Sequence, residues 1–279
     1  MVRTLIASLI VIFISVSVLT KLQTKKAPHG VWHRVEKGLE VAEFLAPEPS
    51  DIGDSRITVV RIDPAEFTFD LFLAAEKGGR SRTIDQWCNE FKLTAAINAG
   101  MFQADGSTNV GYMKHRGKIL NGNLVKNYNA FLLMHPLQAG LVPVQIVDRT
   151  CVNPDSLLGS YGTAVQNLRM ISCQGRNVGS KSQKRWSTVA AAQDKHGNIL
   201  FLFSRSPFPV HTFINNLLRL PLDIGVTMYL EGGPEASLCV KTPDTLIVKY
   251  GSFETNFLES DSNASPWAIP NVIGIRPKK

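Results

Sequence analysis

Short runs with the pattern of β-strands recur along this chain, and they limit its possible folds more than any other feature. Residues 57–62 are rich in β-branched side chains, and residues 67–73 are largely apolar with polar positions interspersed. Asp63-Pro64 lies between the two runs and is a typical turn signal, so this region predicts a β-hairpin. A fold built mainly from strands is therefore expected.

Turn residues predict two more hairpins. Residues 112–120 turn at Arg116-Gly117, and the runs 187–192 and 199–203 flank Lys195-His-Gly-Asn198. The remaining strands are predicted at residues 93–97, 130–134, 142–147, 165–171, 224–230, 246–250 and 271–275.

Helical periodicity is limited to two segments. Thr83 begins the first, with Gln86 in the capping-box position, and the second covers residues 210–218 and ends before Pro221. Strands and helices do not alternate regularly, which argues against a doubly wound Rossmann sheet. We therefore expect an α+β fold of mixed, mostly antiparallel sheets with two or three packed helices.

Residues 1–26 have the layout of a secretory signal peptide or a short N-terminal anchor. Arg3 precedes an apolar stretch at residues 5–19, and lysines follow it. Either interpretation exports residues 27–279, which contain no internal linker and are expected to form one domain. The protein is thus expected in the periplasm or anchored to the inner membrane through residues 5–19, with cleavage left open.

Charge narrows the classes of partner. The net charge is +7, but the basic residues are scattered and no helix combines them with aromatic side chains, so nucleic acid is not an expected partner. For an exported protein, a basic surface favours a phosphorylated or acidic glycan as the substrate.

The four cysteines are Cys88, Cys151, Cys173 and Cys239, and they form no Cys-x-x-Cys motif or Cys/His cluster. No metal site and no cofactor are therefore predicted, although a divalent cation remains compatible with the sequence. An oxidising compartment would permit disulfides, and the three possible pairings stay open. Cys151 with Cys173 would enclose a single segment, whereas Cys88 lies on the apolar face of the first helix.

Two turns of small residues each end an apolar run and carry one polar residue at its edge. They are Asn98-Ala-Gly-Met-Phe102 and Leu230-Glu-Gly-Gly-Pro-Glu-Ala-Ser237. Glycines after a buried strand let the backbone approach a ligand closely, and they hold a neighbouring side chain at the rim of the sheet. The alternative is that the glycines only make turns.

Together these motifs resemble the phosphodiester glycosidase family from about Ile57 to Ile275. Asn98–Phe102 resembles the family's Asn-(Ala/Gly)-Gly-aromatic-Phe motif, and Leu230–Gly233 resembles its Leu-Asp-Gly-Gly. Asn129-Ala-Phe-Leu-Leu resembles the Asn-Phe strand, and Ala164–Ile171 resembles the Gln-Ser-Gly-Pro-x-Leu segment.

The sequence departs from the family pattern at two places. Glu231 stands where many members have Asp, and Arg185–Ala192 replaces an Arg-Thr-Ala-Ile-Gly segment. The form Glu-Gly-Gly-Pro-Glu-Ala resembles a bacterial, exported branch of the family.

The resemblance implies a hydrolase that cleaves the glycosidic bond of a sugar 1-phosphodiester in the cell envelope. Such a reaction needs a carboxylate beside the anomeric carbon and donors that hold the phosphate. Glu231 is expected to act as nucleophile or general base, with Gly232 and Gly233 letting the backbone approach the substrate. Glu235 is either a second catalytic carboxyl or a surface residue.

Four further residues are candidates for binding substrate. Asn98 would bond a sugar hydroxyl or the phosphate, or else cap its own turn, and Gly100 would let the backbone approach. Asn129 matches the family's Asn-Phe strand and would bind substrate, or else it is a plain turn residue. Arg169 lies in an apolar run, where an unpaired charge is costly, so it either reaches solvent or pairs with an anion in the site.

The competing hypothesis is a non-catalytic envelope module that binds glycan or protein on the same fold. The feature that supports this hypothesis is the departure of Arg185–Ala192 from the family pattern. The natural sugar, the stereochemical outcome and the oligomeric state remain open.

Overall fold

The computed structural model describes residues 30–279, and in this range the chain folds into three sheets with a few short helices. The prediction of a signal or anchor at residues 1–26, including a tether through residues 5–19, lies outside the described residues. No helix among residues 30–279 is long and apolar enough to span a membrane.

The secondary structure elements follow in chain order. The helices are α1 (Ile84–Phe91), α2 (Pro154–Leu158) and α3 (Val210–Arg219), with single 3₁₀ turns at Ala74–Glu76 and Gly233–Glu235. The strands are β1 (His33–Glu36), β2 (Leu39–Leu45), β3 (Arg56–Ile62), β4 (Phe67–Leu73), β5 (Ala95–Asn98), β6 (Met113–His115), β7 (Lys118–Asn121), β8 (Ala130–Pro136), β9 (Val144–Asp148), β10 (Tyr161–Asn167), β11 (Arg169–Ile171), β12 (Arg185–Asp194), β13 (Ile199–Pro209), β14 (Ile224–Gly232), β15 (Ser237–Lys241), β16 (Leu246–Tyr250) and β17 (Asn271–Pro277).

The strands form one sheet of seven and two of five. The seven-stranded sheet has the order β1-β2-β3-β13-β12-β14-β11, and the smaller sheets have the orders β7-β6-β10-β8-β9 and β16-β15-β5-β17-β4. Every strand pair within these sheets is antiparallel, whereas the sequence predicted mixed, mostly antiparallel sheets. Residues 30–279 contain three short helices and are mostly β, so helices form a smaller part of the predicted α+β fold than expected.

The three sheets share one hydrophobic core. Phe201 and Leu230 enter it from the seven-stranded sheet, Ile97 and Leu238 from the sheet containing β5, and Leu132 from the sheet containing β8. All five side chains are at most 1% exposed. Because the sheets cover a common core, the described chain is a single domain.

The predicted hairpin between residues 57–62 and 67–73 is wrong, although both strands exist. β3 pairs with β2 and β13, whereas β4 pairs with β17 in a different sheet. The chain crosses between the sheets at the turn after Asp63. Alternating apolar residues indicate a strand but carry no information about its partner, because the partner is chosen by the core that both strands cover.

The run at residues 165–171, predicted as one strand, is split at Leu168. Its first part is β10 in a five-stranded sheet, and its second part is β11, which pairs with β14 in the seven-stranded sheet. The Leu168 N–H donates to the Asn167 side-chain oxygen at 2.7 Å, so a side chain supplies the hydrogen bond that is lost where the strand breaks. The break places Leu168 at a junction between two sheets.

Other local predictions are confirmed. The capping box of Thr83 and Gln86 begins α1, which buries Trp87 and Cys88. The hairpins β6–β7 and β12–β13 form at the predicted turns. β1 and β2 were not predicted.

One disulfide connects two loops beside β11. Cys151 bonds to Cys173, with Cα atoms 6.7 Å apart, whereas Cys88 and Cys239 are free and buried. This pairing is one of the three that the sequence left open. It ties the turn after β9 to the segment that follows β11.

Candidate active site

A cavity of about 560 Å³ opens where loops from all three sheets converge. Its lining combines carboxyl groups with apolar and aromatic side chains. The lining residues are Met101, Phe102, Asn127, Asn129, Leu168, Arg169, Met170, Val178, Gly179, Ser180, Trp186, Val210, Tyr229, Glu231, Gly232, Glu235 and Glu254.

Glu231 reaches the cavity through an irregularity in β14. The pairing with β12 goes from Val189 opposite Glu231 to Ala190 opposite Tyr229, so Leu230 is an extra, bulged residue. A bulge leaves backbone groups unpaired and redirects the neighbouring side chains. Here the Asn167 side-chain amide donates to the Leu230 carbonyl at 3.2 Å, which satisfies the bulged residue.

The glycine pair after Glu231 is required by close packing. A Cβ on Gly232 would collide with the Tyr229 hydroxyl and the Trp186 ring, and one on Gly233 would collide with the Glu254 carboxylate. Gly233 also has a φ of +64°, in the left-handed region that favours glycine. The glycines therefore bring aromatic rings and a carboxylate against the backbone beside Glu231, a role beyond simple turn formation.

Asn98 connects the two motifs instead of facing the cavity. Its amide nitrogen donates to the Glu235 carbonyl at 3.0 Å, and its amide oxygen accepts from the Ser237 N–H at 2.8 Å. The side chain is 2% exposed. Both polar atoms are thus occupied by the turn that carries Glu235, which gives Asn98 a positioning role.

Three carboxyl groups share the polar side of the cavity. The pKa of Glu231 is raised to about 8, chiefly by burial and also by the neighbouring Glu235 and Glu254 carboxylates, although a 3.0 Å hydrogen bond from the Gly232 N–H acts to lower it. Burial also raises the pKa of Glu235, with a further contribution from Glu254, and it raises the pKa of Glu254 itself. With a pKa of about 8, raised mainly by burial, Glu231 is mostly protonated at pH 7.

Glu254 was not predicted as a site residue. It enters from the segment after β16, where its N–H donates to the Leu258 carbonyl and the residue forms an isolated bridge with Trp186. No glycine pair or motif marks it in the sequence. Tyr229 also lines the cavity and was not predicted as a site residue.

Arg169 lines the cavity but already has an anionic partner in the protein. Its Nη1 contacts both oxygens of Asp148 at 2.6 Å and donates to the Thr150 hydroxyl, also at 2.6 Å. Asp148 is 1% exposed, and its pKa is lowered because the bonds from Arg169 and neighbouring backbone N–H groups outweigh its burial. The charge of Arg169 is therefore largely balanced before any substrate binds.

Asn129 and Asn127 line the cavity on a loop that Gln166 holds. The Gln166 oxygen accepts from the N–H groups of Tyr112 and Val125, and its nitrogen donates to the carbonyls of Val125 and Tyr128. The side chain is fully buried. One amide thus satisfies four backbone groups and sets the position of this wall.

Gly100 lies behind the cavity and does not line it. Its φ is +138°, and a Cβ there would lie 2.9 Å from the Asn109 side-chain oxygen. The glycine therefore serves the close packing of the loop after β5.

Replacing Gln166 with Leu is expected to cost about 2–4 kcal/mol in the free energy of unfolding. The Tyr112 N–H, the Val125 N–H and the Tyr128 carbonyl would lose their side-chain partner. The Val125 carbonyl would keep only its bonds from the Tyr128 N–H and Arg149. Denaturant titration measures this loss.

Gln145→Leu is the matched control, since Gln145 makes a single side-chain bond, to the Tyr161 hydroxyl. Equal losses for the two variants would contradict the assigned role of Gln166.

Among residues 30–279, one group of potential metal-ligand atoms lies within 4.8 Å of one another, formed by Asp148 with the disulfide-bonded Cys151 and Cys173. The three cavity glutamates do not meet this spacing.

Sequence comparison supplies the class of protein. A model of the phosphodiester glycosidase family matches residues 91–276, which is most of the chain and includes Glu231, Glu235 and Glu254. The chain belongs to this family. No curated protein matches it in a sequence search.

Solved structures share the fold. The zebrafish N-acetylglucosamine-1-phosphodiester alpha-N-acetylglucosaminidase catalytic domain, auto-inhibited by its pro-peptide, aligns with a TM-score of 0.56 at 14% identity, covering 88% of this chain and 86% of that chain. A hypothetical protein from Synechocystis aligns with a TM-score of 0.57 at 14% identity, covering 89% of this chain and 64% of that chain. A protein from Burkholderia pseudomallei K96243, named as a candidate exported protein, aligns with a TM-score of 0.51 at 10% identity. The alignment covers 80% of this chain and 74% of that chain. At these identities the likeness establishes the fold alone.

Proposed function

We propose that this chain hydrolyses the glycosidic bond of a sugar 1-phosphodiester in the cell envelope. The observation that carries the proposal is the cluster of Glu231, Glu235 and Glu254 in one cavity, on a chain of the phosphodiester glycosidase family. Glycoside hydrolysis uses two carboxyl groups in different protonation states, one that donates a proton and one that is ionised. The zebrafish relative, whose name specifies an N-acetylglucosamine 1-phosphodiester, supplies the first substrate to test.

The raised pKa changes the role proposed for Glu231. A group with a pKa of about 8 is protonated at pH 7, so it suits a hydrogen-bond donor and general acid better than the nucleophile or base inferred from the sequence. A neutral Glu231 side chain also avoids the electrostatic repulsion that a carboxylate would exert on the negatively charged phosphodiester. In this arrangement Glu231 donates its proton to the leaving phosphate oxygen as the bond to the anomeric carbon breaks.

The ionised partner comes from Glu235 or Glu254, which both line the cavity. One of them attacks the anomeric carbon directly or removes a proton from the attacking water. Asn98 holds the backbone of Glu235, and the carboxylate of Glu254 lies against Gly233. Comparing Glu235→Gln with Glu254→Gln assigns the role, because the variant that lacks the base loses turnover while the other keeps it.

Arg169 is a weaker candidate for the phosphate clamp than the sequence suggested. Its Nη1 is bound to Asp148, so the substrate can use only the rest of the guanidinium group. Asn127, Asn129 and Ser180 add neutral donors around the same cavity. We propose that these groups and Arg169 together bind the phosphate through hydrogen bonds.

The pH dependence of turnover follows from these protonation states. Activity should fall as pH rises through about 8, because Glu231 loses the proton it must donate. It should also fall at acid pH, where the second carboxylate becomes protonated. A pH profile of kcat/KM measures both limbs for the unliganded protein, and a value that keeps rising above pH 9 would contradict the acid role.

The function is tested by incubating the purified chain with N-acetylglucosamine 1-phosphodiesters and simple aryl glycosides. Release of sugar from the phosphodiester, lost in Glu231→Gln, supports the proposal. Binding of glycans without turnover of any sugar phosphodiester would instead support the non-catalytic module.

A further inference from the structure

Two aromatic side chains are exposed on the segment that follows the cavity residue Glu254. Phe257 is 62% exposed and Trp267 is 37% exposed, and their rings pack edge to face with centroids 6.1 Å apart. Exposed apolar groups of this size lower solubility and do not help folding, so such a pair usually marks a binding surface.

The aromatic pair adjoins the cavity. The Glu254 carbonyl accepts from the N–H groups of both Phe257 and Leu258, which closes a tight turn. Three residues of chain span at most about 11 Å, and a closed turn spans less. The backbone of Phe257 therefore lies within about 11 Å of Glu254, which lines the cavity.

The segment is held in place before any ligand binds. The Arg205 guanidinium bonds the Asp261 carboxylate at 2.7 Å and the Asn263 carbonyl at 2.8 Å, and it stacks over Tyr250. The Ser252 hydroxyl donates to the Ser260 carbonyl at 3.0 Å. A ligand that binds here pays little for ordering the loop.

The surroundings of the rings identify the chemistry of the ligand. Exposed polar side chains dominate the same segment, at Asn256, Glu259, Asp261, Ser262 and Ser265. A sugar presents C–H faces that pack on aromatic rings and hydroxyl groups that bond polar neighbours, and this segment offers both kinds of group.

We propose that Phe257 and Trp267 form a sugar-binding subsite outside the cavity, so that the substrate is a chain of sugars and not a small diester. This inference rests on the proposed function for the identity of the cavity. The terminal sugar occupies the cavity beside Glu231, and a later unit of the chain stacks on the aromatic pair.

The test measures binding by calorimetry, using the full chain with Glu231→Gln so that no hydrolysis occurs. The ligands are series of one to four N-acetylglucosamine, glucose or galactose units, each as a 1-(methyl phosphate) diester. Affinity should rise about tenfold with length in at least one series. Phe257→Ala and Trp267→Ala should each remove this gain and leave binding of the single-sugar ligand unchanged.

Leu246→Ala is the matched control, since Leu246 is 67% exposed on β16 and should not affect the length dependence. No gain with length in any series would overturn the subsite. A dimer that sedimentation detects in the parent chain and that Phe257→Ala dissociates would also overturn it, because the patch would then join two copies. Hydrolysis without length dependence rejects the subsite alone, and length-dependent binding without hydrolysis by the unmodified chain rejects the proposed reaction alone.

Discussion

Replacing Glu231 with Gln is expected to lower kcat for a sugar 1-phosphodiester by about a thousandfold, with little change in KM. The amide keeps the size of the side chain and its neutral charge at pH 7, but it cannot donate a proton to the leaving oxygen. Loss of a general acid typically costs between about a hundredfold and ten thousandfold. Steady-state kinetics on the purified variant measure the change.

The same variant should be more stable than the parent chain at alkaline pH. The Glu231 pKa is about 8 in the folded chain and near its ordinary value of 4.5 in the unfolded chain, so the contribution of Glu231 to stability is full below pH 4.5 and is lost as pH rises through about 8. Gln does not titrate, so the variant should gain about 4 kcal/mol relative to the parent between pH 4.5 and pH 8. A variant that is inactive and also unfolded, or equally stable at every pH, would contradict this account of Glu231.

Replacing Asp148 with Ala is expected to cost about 3–5 kcal/mol in the free energy of unfolding. The change leaves the Arg169 guanidinium, 15% exposed, without its anion and removes the acceptor for the Thr150 and Cys173 N–H groups. A buried charge that loses its partner is among the costliest single changes. Urea denaturation, with the disulfide intact, measures the difference.

Asp51→Ala is the control for this prediction. Asp51 also pairs with an arginine, Arg185, but its side chain is 68% exposed, and such pairs contribute at most about 1 kcal/mol. Adding Arg169→Leu to Asp148→Ala should recover part of the lost stability by removing the orphaned charge. A loss below about 1 kcal/mol for Asp148→Ala would show that the pair is weak and that Arg169 is free for substrate.

Local features of the fold were predictable because their signals are local. The capping box at Thr83, the hairpin turn at Lys195–Asn198 and the strand that delivers Glu231 each depend on residues adjacent in sequence. The pairing of β3 and β4 with strands in different sheets was not predictable, since it depends on the shared core. The break at Leu168 was not predictable for the same reason. An apolar run has the same sequence pattern whether it forms one strand in one sheet or two strands in two sheets.

The candidate site shows the same limit. The glycine pair predicted Glu231 and Glu235, which both line the cavity, but Glu254 arrives from a segment without a motif. The charge on Arg169 suggested an anionic partner, and sequence alone could not reveal that Asp148, 21 residues earlier, already fills that place. Asn98 was expected to contact substrate, yet its bonds to the turn of Glu235 depend on how two distant motifs pack.

The most direct test of the central claim is the fate of oxygen from water during turnover. The chain is incubated with N-acetylglucosamine 1-(methyl phosphate) in oxygen-18 water, and both products are analysed by mass spectrometry. Cleavage of the glycosidic bond, as proposed for the Glu231 cavity, places the label in the released sugar and none in methyl phosphate. Label in the phosphate, or no release of sugar, would contradict the account.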